Sequence, residues 1–384
     1  MRWRAAGPAV APSLAALAAV ATLLGRAGIL AARPRAEGFG TVGAMTQAET
    51  RSQLPGPWLV ADIGGTNARF GWVEGAGAEV TQVVSIPTAG HAGPAAAAAA
   101  YLRQRADALG AHYRAPRAAA LAVATALAGD RVALTNSGWD FSRRELQQAL
   151  GLQALLLLND FEALAMSLPR LQGAQLRPFG PAPLPAADDA AATGTRAVVG
   201  PGTGLGVAGL VRGPHGWVAV PGEGGHASLA ATDDFEAAVL AAAWREHEHV
   251  SAERLLSGIG LPVLHAAVAR VLGHPAEALT AAQIFERGLS GADAPAARTL
   301  DAFCALLGGF AGNVALVLGA RGGVYIGGGI VPRLGERFFA SRFRERFEAK
   351  GRFRPYLQAV PTALITDTLA ALAGAALALE QHGR

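Results

Sequence analysis

From residue 58 onward, short apolar runs alternate with stretches of helical spacing. Trp58 to Ile63 is an apolar run closed by Gly64-Gly65-Thr66-Asn67, and Ala68 to Val73 follows. Runs this short, bounded by turn residues, predict strands, with a third at Val80–Ile86. An Ala-rich stretch over 93–109 predicts a helix. A buried strand is predicted at 118–128 and a short one at 132–136, after the Gly129-Asp130 turn. Ser142, with Glu145 three residues on, predicts a capped helix running through Leu150. Leu155 to Leu158 predict a strand covered on both faces, and helical spacing from Phe161 to Met166 follows Asn159-Asp160. The order is three strands, then helix, strand, helix, strand, helix: an α/β unit of parallel strands beneath helices.

A Pro/Ala-rich stretch at 179–195 interrupts this pattern and reads as a loop or linker. Beyond it three strands, at 196–199, 206–211 and 217–220, again surround a glycine turn, Gly200-Pro201-Gly202-Thr203-Gly204. The recurrence predicts an internal duplication, with a phosphate-type turn in each half and a nucleotide in the cleft between them. Helices are expected at 234–244, 261–272, 281–289 and 294–318. A strand at 322–326 runs into Gly327-Gly328-Gly329, and a strand at 362–365 and a helix at 369–380 close the chain.

Composition narrows the function classes. At 384 residues, 51% hydrophobic and 16% charged, the chain has material for two domains of ordinary size. Its formal net charge of +4 lies wholly in residues 1–44, where Arg2, Arg4, Arg26, Arg33 and Arg35 stand against Glu37. The remainder is formally neutral, which argues against a nucleic-acid face. The single cysteine, Cys304, excludes a disulfide framework and a cysteine zinc site; it reads as a core helix residue. Residues 1–44 carry arginines around an Ala/Leu/Val run, the shape of a signal peptide or membrane anchor. A start codon assigned too far upstream, with Met45 as the true start, explains the same facts.

Several polar residues fall where chemistry is done. Asp160 ends a buried strand just before a helix, where open α/β sheets place their ligands. It can take a proton from a substrate hydroxyl, or it can simply cap the helix. Asp62 precedes Gly64-Gly65-Thr66-Asn67, a turn that can hold phosphate oxygens while the carboxylate faces a metal ion or its waters; a bare hairpin turn would use the same glycines. Glu223 and His226 stand on a loop of three glycines and suit ligand hydroxyls. Glu253 follows Ser251 and reads as a carboxylate in the first turn of a capped helix, or as a ligand. Gly327 to Gly329 would let backbone lie against an adenine. His247, Glu248 and His249 lack metal-ligand spacing.

Taken together, ADIGGTNARF, LTNSGWDF, LLNDFEALA, VGPGTGLGVA, PGEGGHA, HVSAERLLSG, GGVYIGGGIVPR and FEAKGRF resemble the bacterial glucokinase family, in order and over almost the whole chain beyond Trp58. The resemblance implies the two-domain actin-like ATPase (ribonuclease H-like) fold, with the active site in the interdomain cleft. Residues 1–57 form an extension, disordered or arising from the upstream start. A small α/β domain spans 58–170, completed by 366–384, and a large one spans 171–365. The implied activity is ATP-dependent phosphorylation of D-glucose at the 6-hydroxyl, the first step of glycolysis. Asp160 is implied as the base, with Asn136, Asn159, Glu223, His226 and Glu253 on the sugar. Ala61, Asp62, Ile63, Gly64, Gly65, Thr66, Asn67, Gly202, Thr203, Gly204, Gly327, Gly328 and Gly329 are implied to hold ATP, and Asp62 to hold Mg²⁺ through water. A cytoplasmic homodimer bound to neither nucleic acid nor membrane is expected. A kinase for another hexose is the alternative, as is a sugar-sensing regulator on the same fold. A regulator would carry a helix-turn-helix before the first strand and a cysteine zinc cluster, and neither is visible here.

Overall fold

The structure, a computed structural model, describes residues 54–134, 137–185 and 194–382. In chain order its strands are β1 (Trp58–Ile63), β2 (Asn67–Val73), β3 (Thr81–Pro87), β4 (Ala118–Val123), β5 (Arg131–Ala133), β6 (Asp140–Ser142) and β7 (Ala154–Asn159). Then come β8 (Leu176–Phe179), β9 (Arg196–Pro201), β10 (Leu205–Gly213), β11 (Gly216–Gly222), β12 (Val324–Ile326) and β13 (Thr362–Ile365). The first sheet runs β3-β2-β1-β4-β7 and the second β11-β10-β9-β12-β13-β8, with β5 and β6 a separate ribbon. β1 to β3 in the first sheet and β9 to β11 in the second are antiparallel, and β4 and β7, like β12 and β13, join them in parallel. The expected duplication is thus present in topology, with β8 as an addition to the second half.

Alternation divides the first sheet between two layers. Leu59, Ala61 and Ile63 face a core shared with Tyr101 of the Pro94–Leu109 helix. Trp58 and Val60 face Leu372, Ala375, Ala376 and Leu379 of the Ala370–His382 helix. Each such buried leucine contributes about 1.5–3 kcal/mol relative to an exposed one. Every residue of β4 is buried. The four leucines of β7 differ from expectation: the strand lies at the sheet edge, and Leu156 and Leu157 are only half-buried.

Two helices lie between the sheets, Asp160–Ser167 and Ala370–His382, and they pack on each other. Gly374 permits this crossing, because a Cβ there would meet the Ala163 carbonyl. Asp160–Ser167 continues directly from β7 and packs on β9, β10 and β11, so one short helix is seated on both halves. In the second half the Ala294–Leu318 helix is the central support. Among the described residues it alone is long and apolar enough to cross a membrane, yet 78% of its most apolar window is buried, in the core where Cys304 also lies. Its Gly308 and Gly312 admit the Phe343 and Phe347 carbonyls of a crossing helix, Phe343–Glu348.

Other differences are local. The strand expected over 118–128 stops at Val123, where Ala124 N donates to the Ile63 carbonyl and the chain turns. β6 and β8 were not expected, both being short and polar or Pro-containing. The segment 331–358 folds into short helices around the ring cluster of Phe179, Phe338, Phe343 and Phe347. Residues 1–53, with the question of an anchor or upstream start, lie outside the described residues, as do 135–136 and 186–193.

Candidate active site

The ends of β1 and β7 are brought level by β4, which pairs in parallel with both. Asp62 is opposite Ala122, which is opposite Leu158, and Asp160 lies just beyond. Asn159 and Asp160 divide the tasks that the sequence left open. Asn159 caps the helix: its Oδ1 accepts from Phe161 N at 2.9 Å, and the Glu162 carboxylate accepts from Asn159 N at 3.2 Å. Asn159 Nδ2 also donates to the Thr125 carbonyl at 3.3 Å. Asp160, relieved of capping, is the first helical residue, and its Oδ1 accepts from Phe161 N at 3.0 Å.

Burial pushes the Asp160 carboxyl up to about 6; the hydrogen bond from Phe161 N opposes this, and the nearby charge of Asp62 adds to it. Asp62 is also raised by burial, which outweighs Arg69, its cross-strand neighbour in β2, whose Nη1 lies 3.1 Å from Asp62 Oδ2. Two carboxylates and one guanidinium therefore share this end of the first sheet. The adjoining turn is held by Gly64 N donating to the Asn67 carbonyl at 3.0 Å. Thr88 Oγ1 donates to the Gly65 carbonyl at 2.8 Å, and Thr88 N to the Thr66 carbonyl at 2.9 Å. Thr66 and Asn67 are exposed; Ala61 and Ile63 are fully buried, so their side chains belong to the core and not to the cleft. Neither Gly64 nor Gly65 adopts a positive φ, so this turn does not use their left-handed freedom.

The second turn is built around Glu253. Gly202 N donates to the Gly204 carbonyl, and Gly258 N to the Gly202 carbonyl, both at 2.8 Å. Ser251 caps the Ala252–Leu255 helix by accepting from Arg254 N, which leaves Glu253 free of that role. Its Oε2 accepts from Leu205 N at 2.8 Å, and Gly204 lies so close that a Cβ there would meet the same oxygen. A bridge between Ser228 and Ser251, with Ala252 N donating to the Ala227 carbonyl at 2.9 Å, lays the 223–226 loop beside this helix. His226 Nε2 is then 3.9 Å from Glu253 Oε1 and 4.0 Å from Glu223 Oε2. The side chains of Glu223 and His226 remain 70% and 62% exposed, open to a ligand.

The triple glycine divides. Gly327 is buried under Leu164, its N donating to the Val199 carbonyl at 2.9 Å, so it serves packing. Gly328, at φ +77°, passes against the Pro201 carbonyl, where a side chain would collide. Gly329 has open space beside it. Ile330 N ties this strand end to the second turn by donating to the Pro201 carbonyl at 3.1 Å. Asn136 lies outside the described residues.

Phe161 is the residue that sequence reasoning overlooked. Its ring is wedged between Gly200 and Gly206 of the second sheet; a Cβ on Gly200 would stand 2.5 Å from two ring carbons. Asp160 is thereby held at the point where the halves meet. The signal was the pair of glycines flanking the second turn. Glu162 was also overlooked, although its position three residues after Asn159 marks a capping box. Among the described residues no group of three His, Cys, Asp or Glu could hold a metal ion alone.

Comparisons with known proteins agree with this layout. The Glucokinase family model matches residues 59–382. A glucokinase of Aromatoleum aromaticum is 46% identical over 324 residues, 84% of this chain and 95% of the relative. One from Paramagnetospirillum magneticum is 47% identical over 323 residues, 83% and 96% of the two chains. The crystal structure of a glucokinase from an Antarctic psychrotroph superposes with a TM-score of 0.77 at 39% identity, covering 84% of this chain and 98% of that one. Sheet order and these likenesses lead to one conclusion: the chain belongs to the glucokinase family, sugar kinases of the two-domain actin-like ATPase fold.

Proposed function

We propose that the chain transfers the γ-phosphoryl group of ATP to the 6-hydroxyl of D-glucose, with Asp160 as the base. The observation that carries this reading is the pairing of roles at 159 and 160. Asn159 satisfies the helix terminus, so Asp160 keeps a partly desolvated carboxylate that titrates near 6. That value lies close to neutrality, where a base is both deprotonated and strong enough to accept a hydroxyl proton.

Glu223 and Glu253 supply acceptors, each with a carboxylate oxygen within 4.0 Å of His226 Nε2, a set suited to a sugar's adjacent hydroxyls. Asn159 and Asn136 complete the sugar contacts in this reading. A site of this kind disfavours an analogue lacking a hydroxyl, because each unpaired buried acceptor costs about 1–3 kcal/mol. Thr66, Asn67, Thr203 and the backbone of 202–204 face the phosphates, and Gly328 and Gly329 the adenosine. Ala61 and Ile63 act only through their backbone, and Gly327 through packing.

The donor set fits Mg²⁺. Asp62 and Asp160 are two raised carboxyls at neighbouring strand ends, Asp62 paired with the Arg69 guanidinium, and Mg²⁺ commonly takes one or two carboxylates together with substrate phosphates. Asp62 would hold it through water, and the ion would neutralise charge on the transferring group. The chain's own part is to fix the acceptor hydroxyl against Asp160, to take its proton on the carboxylate, and to exclude water from the cleft.

The test is ADP release by the full chain with Mg²⁺ and ATP across glucose, fructose, mannose and N-acetylglucosamine. Strong release with glucose is expected. Equal release without sugar, or release confined to another hexose, overturns the assignment.

A further inference from the structure

At the far end of the Asp160–Ser167 helix, away from both turns, lies a cavity of about 330 Å³. Leu171, Leu176, Leu184 and the ring of Tyr325 give it apolar walls, and Arg196 enters it from the start of β9. Arg196 is only 4% exposed, and among the described residues no carboxylate pairs with it. Its Nη1 donates to the Leu168 carbonyl at 2.8 Å, and its guanidinium stacks 4.8 Å from the Trp217 ring centroid. Its Nε is buried with no hydrogen-bond partner. Burial pushes the guanidinium below its usual range, with only the Tyr325 phenol opposing.

The bond to Leu168 explains part of this: a cation at the last carbonyls of a helix is favourable. Among the described residues it uses one of five donors and leaves the charge without a carboxylate, in a place where an isolated charge is costly. A cavity of this size lies at the lower end of the range for small-molecule sites. We propose that it binds a small monocarboxylate with an apolar tail, of the size of butyrate to benzoate, whose carboxylate meets the Arg196 guanidinium while its tail fills the leucine-lined space. The planar fork of arginine matches a carboxylate. A phosphate dianion would bring a second negative charge, and the described lining residues offer no second cation to meet it.

The experiment is thermal unfolding of the full chain in sodium butyrate or sodium benzoate, against sodium chloride at equal ionic strength and against butyramide as the neutral counterpart. The carboxylates are expected to raise Tm in a saturable way, by about 4 °C at a hundred times the dissociation constant, and butyramide to leave it unchanged. Arg196→Met should abolish the rise. Because that substitution also removes a helix-capping donor, Leu176→Trp, which fills the cavity and leaves the guanidinium intact, should abolish it as well. No rise with either carboxylate, an equal rise with butyramide, or a rise that survives in either folded variant overturns the proposal. The readout is binding, so it is independent of phosphoryl transfer.

Discussion

Replacing Asp160 with Asn should stabilise the protein while removing the proposed base, and the stabilisation should depend on pH. In the folded chain the Asp160 carboxyl titrates near 6 against an ordinary value of 3.8, chiefly through burial. A carboxyl raised on folding stabilises while it is protonated. That contribution is whole below about pH 3.8 and is lost as pH rises through about 6. The difference, a little over two pKa units, corresponds to about 3 kcal/mol at 1.36 kcal/mol per unit. Asn keeps the Oδ1 that accepts from Phe161 N and carries no charge, so it escapes the penalty. The specific unfolding entropy of globular proteins converts 3 kcal/mol to about 4 °C at this chain length. Calorimetry of both chains at intervals from pH 4 to pH 8, without nucleotide or sugar, should show nearly equal Tm at pH 4 and Asp160→Asn higher by 2–4 °C, roughly, at pH 8. A gap of constant size across that range, or a less stable variant at pH 8, would refute the origin assigned to the raised carboxyl.

Three further outcomes follow from the same geometry. The pH profile of kcat/KM for sugar should fall on the acid side with an apparent pKa near 6, and Asp62→Asn should move that limb lower by removing a neighbouring negative charge; an unmoved limb would detach Asp62 from Asp160. Glu253→Gln should raise KM for glucose about tenfold or more, in line with 1–3 kcal/mol for a disrupted buried acceptor, and change kcat less; initial rates decide it, and an unchanged KM removes Glu253 from the sugar site. Gly200→Ala should cost about 1–3 kcal/mol by driving a methyl into the Phe161 ring, with part of the loss recovered by Phe161→Leu in the same chain; a neutral Gly200→Ala would contradict the wedge between the halves.

Much of this arrangement was legible in the residues because short apolar runs ended in Gly/Thr turns twice over. Two sheets of the same order, and the placement of Asp62 and Asp160 at strand ends, follow from that pattern. Other features depended on contacts remote in sequence. Glu223, His226 and Glu253 meet only because the Ser228–Ser251 bridge folds one loop onto another, and no local signal carries that. Asn159 and Asp160 are equally good caps by type; Glu162 decides between them, and that clue was present in the sequence. Gly64 and Gly65 show another limit, since neither adopts the left-handed conformation that glycine permits. β7 reads as a strand covered on both faces because its leucines are continuous, yet it lies at the sheet edge with Leu156 and Leu157 only half-buried.

The most direct measurement is product formation from glucose, Mg²⁺ and ATP by the unmodified chain and by Asp160→Asn, followed by phosphorus NMR. Glucose 6-phosphate is expected from the first and a rate lower on the order of 10²–10⁴-fold from the second, with the fold intact. Near-equal rates, or phosphate on another hydroxyl, would contradict the proposed mechanism.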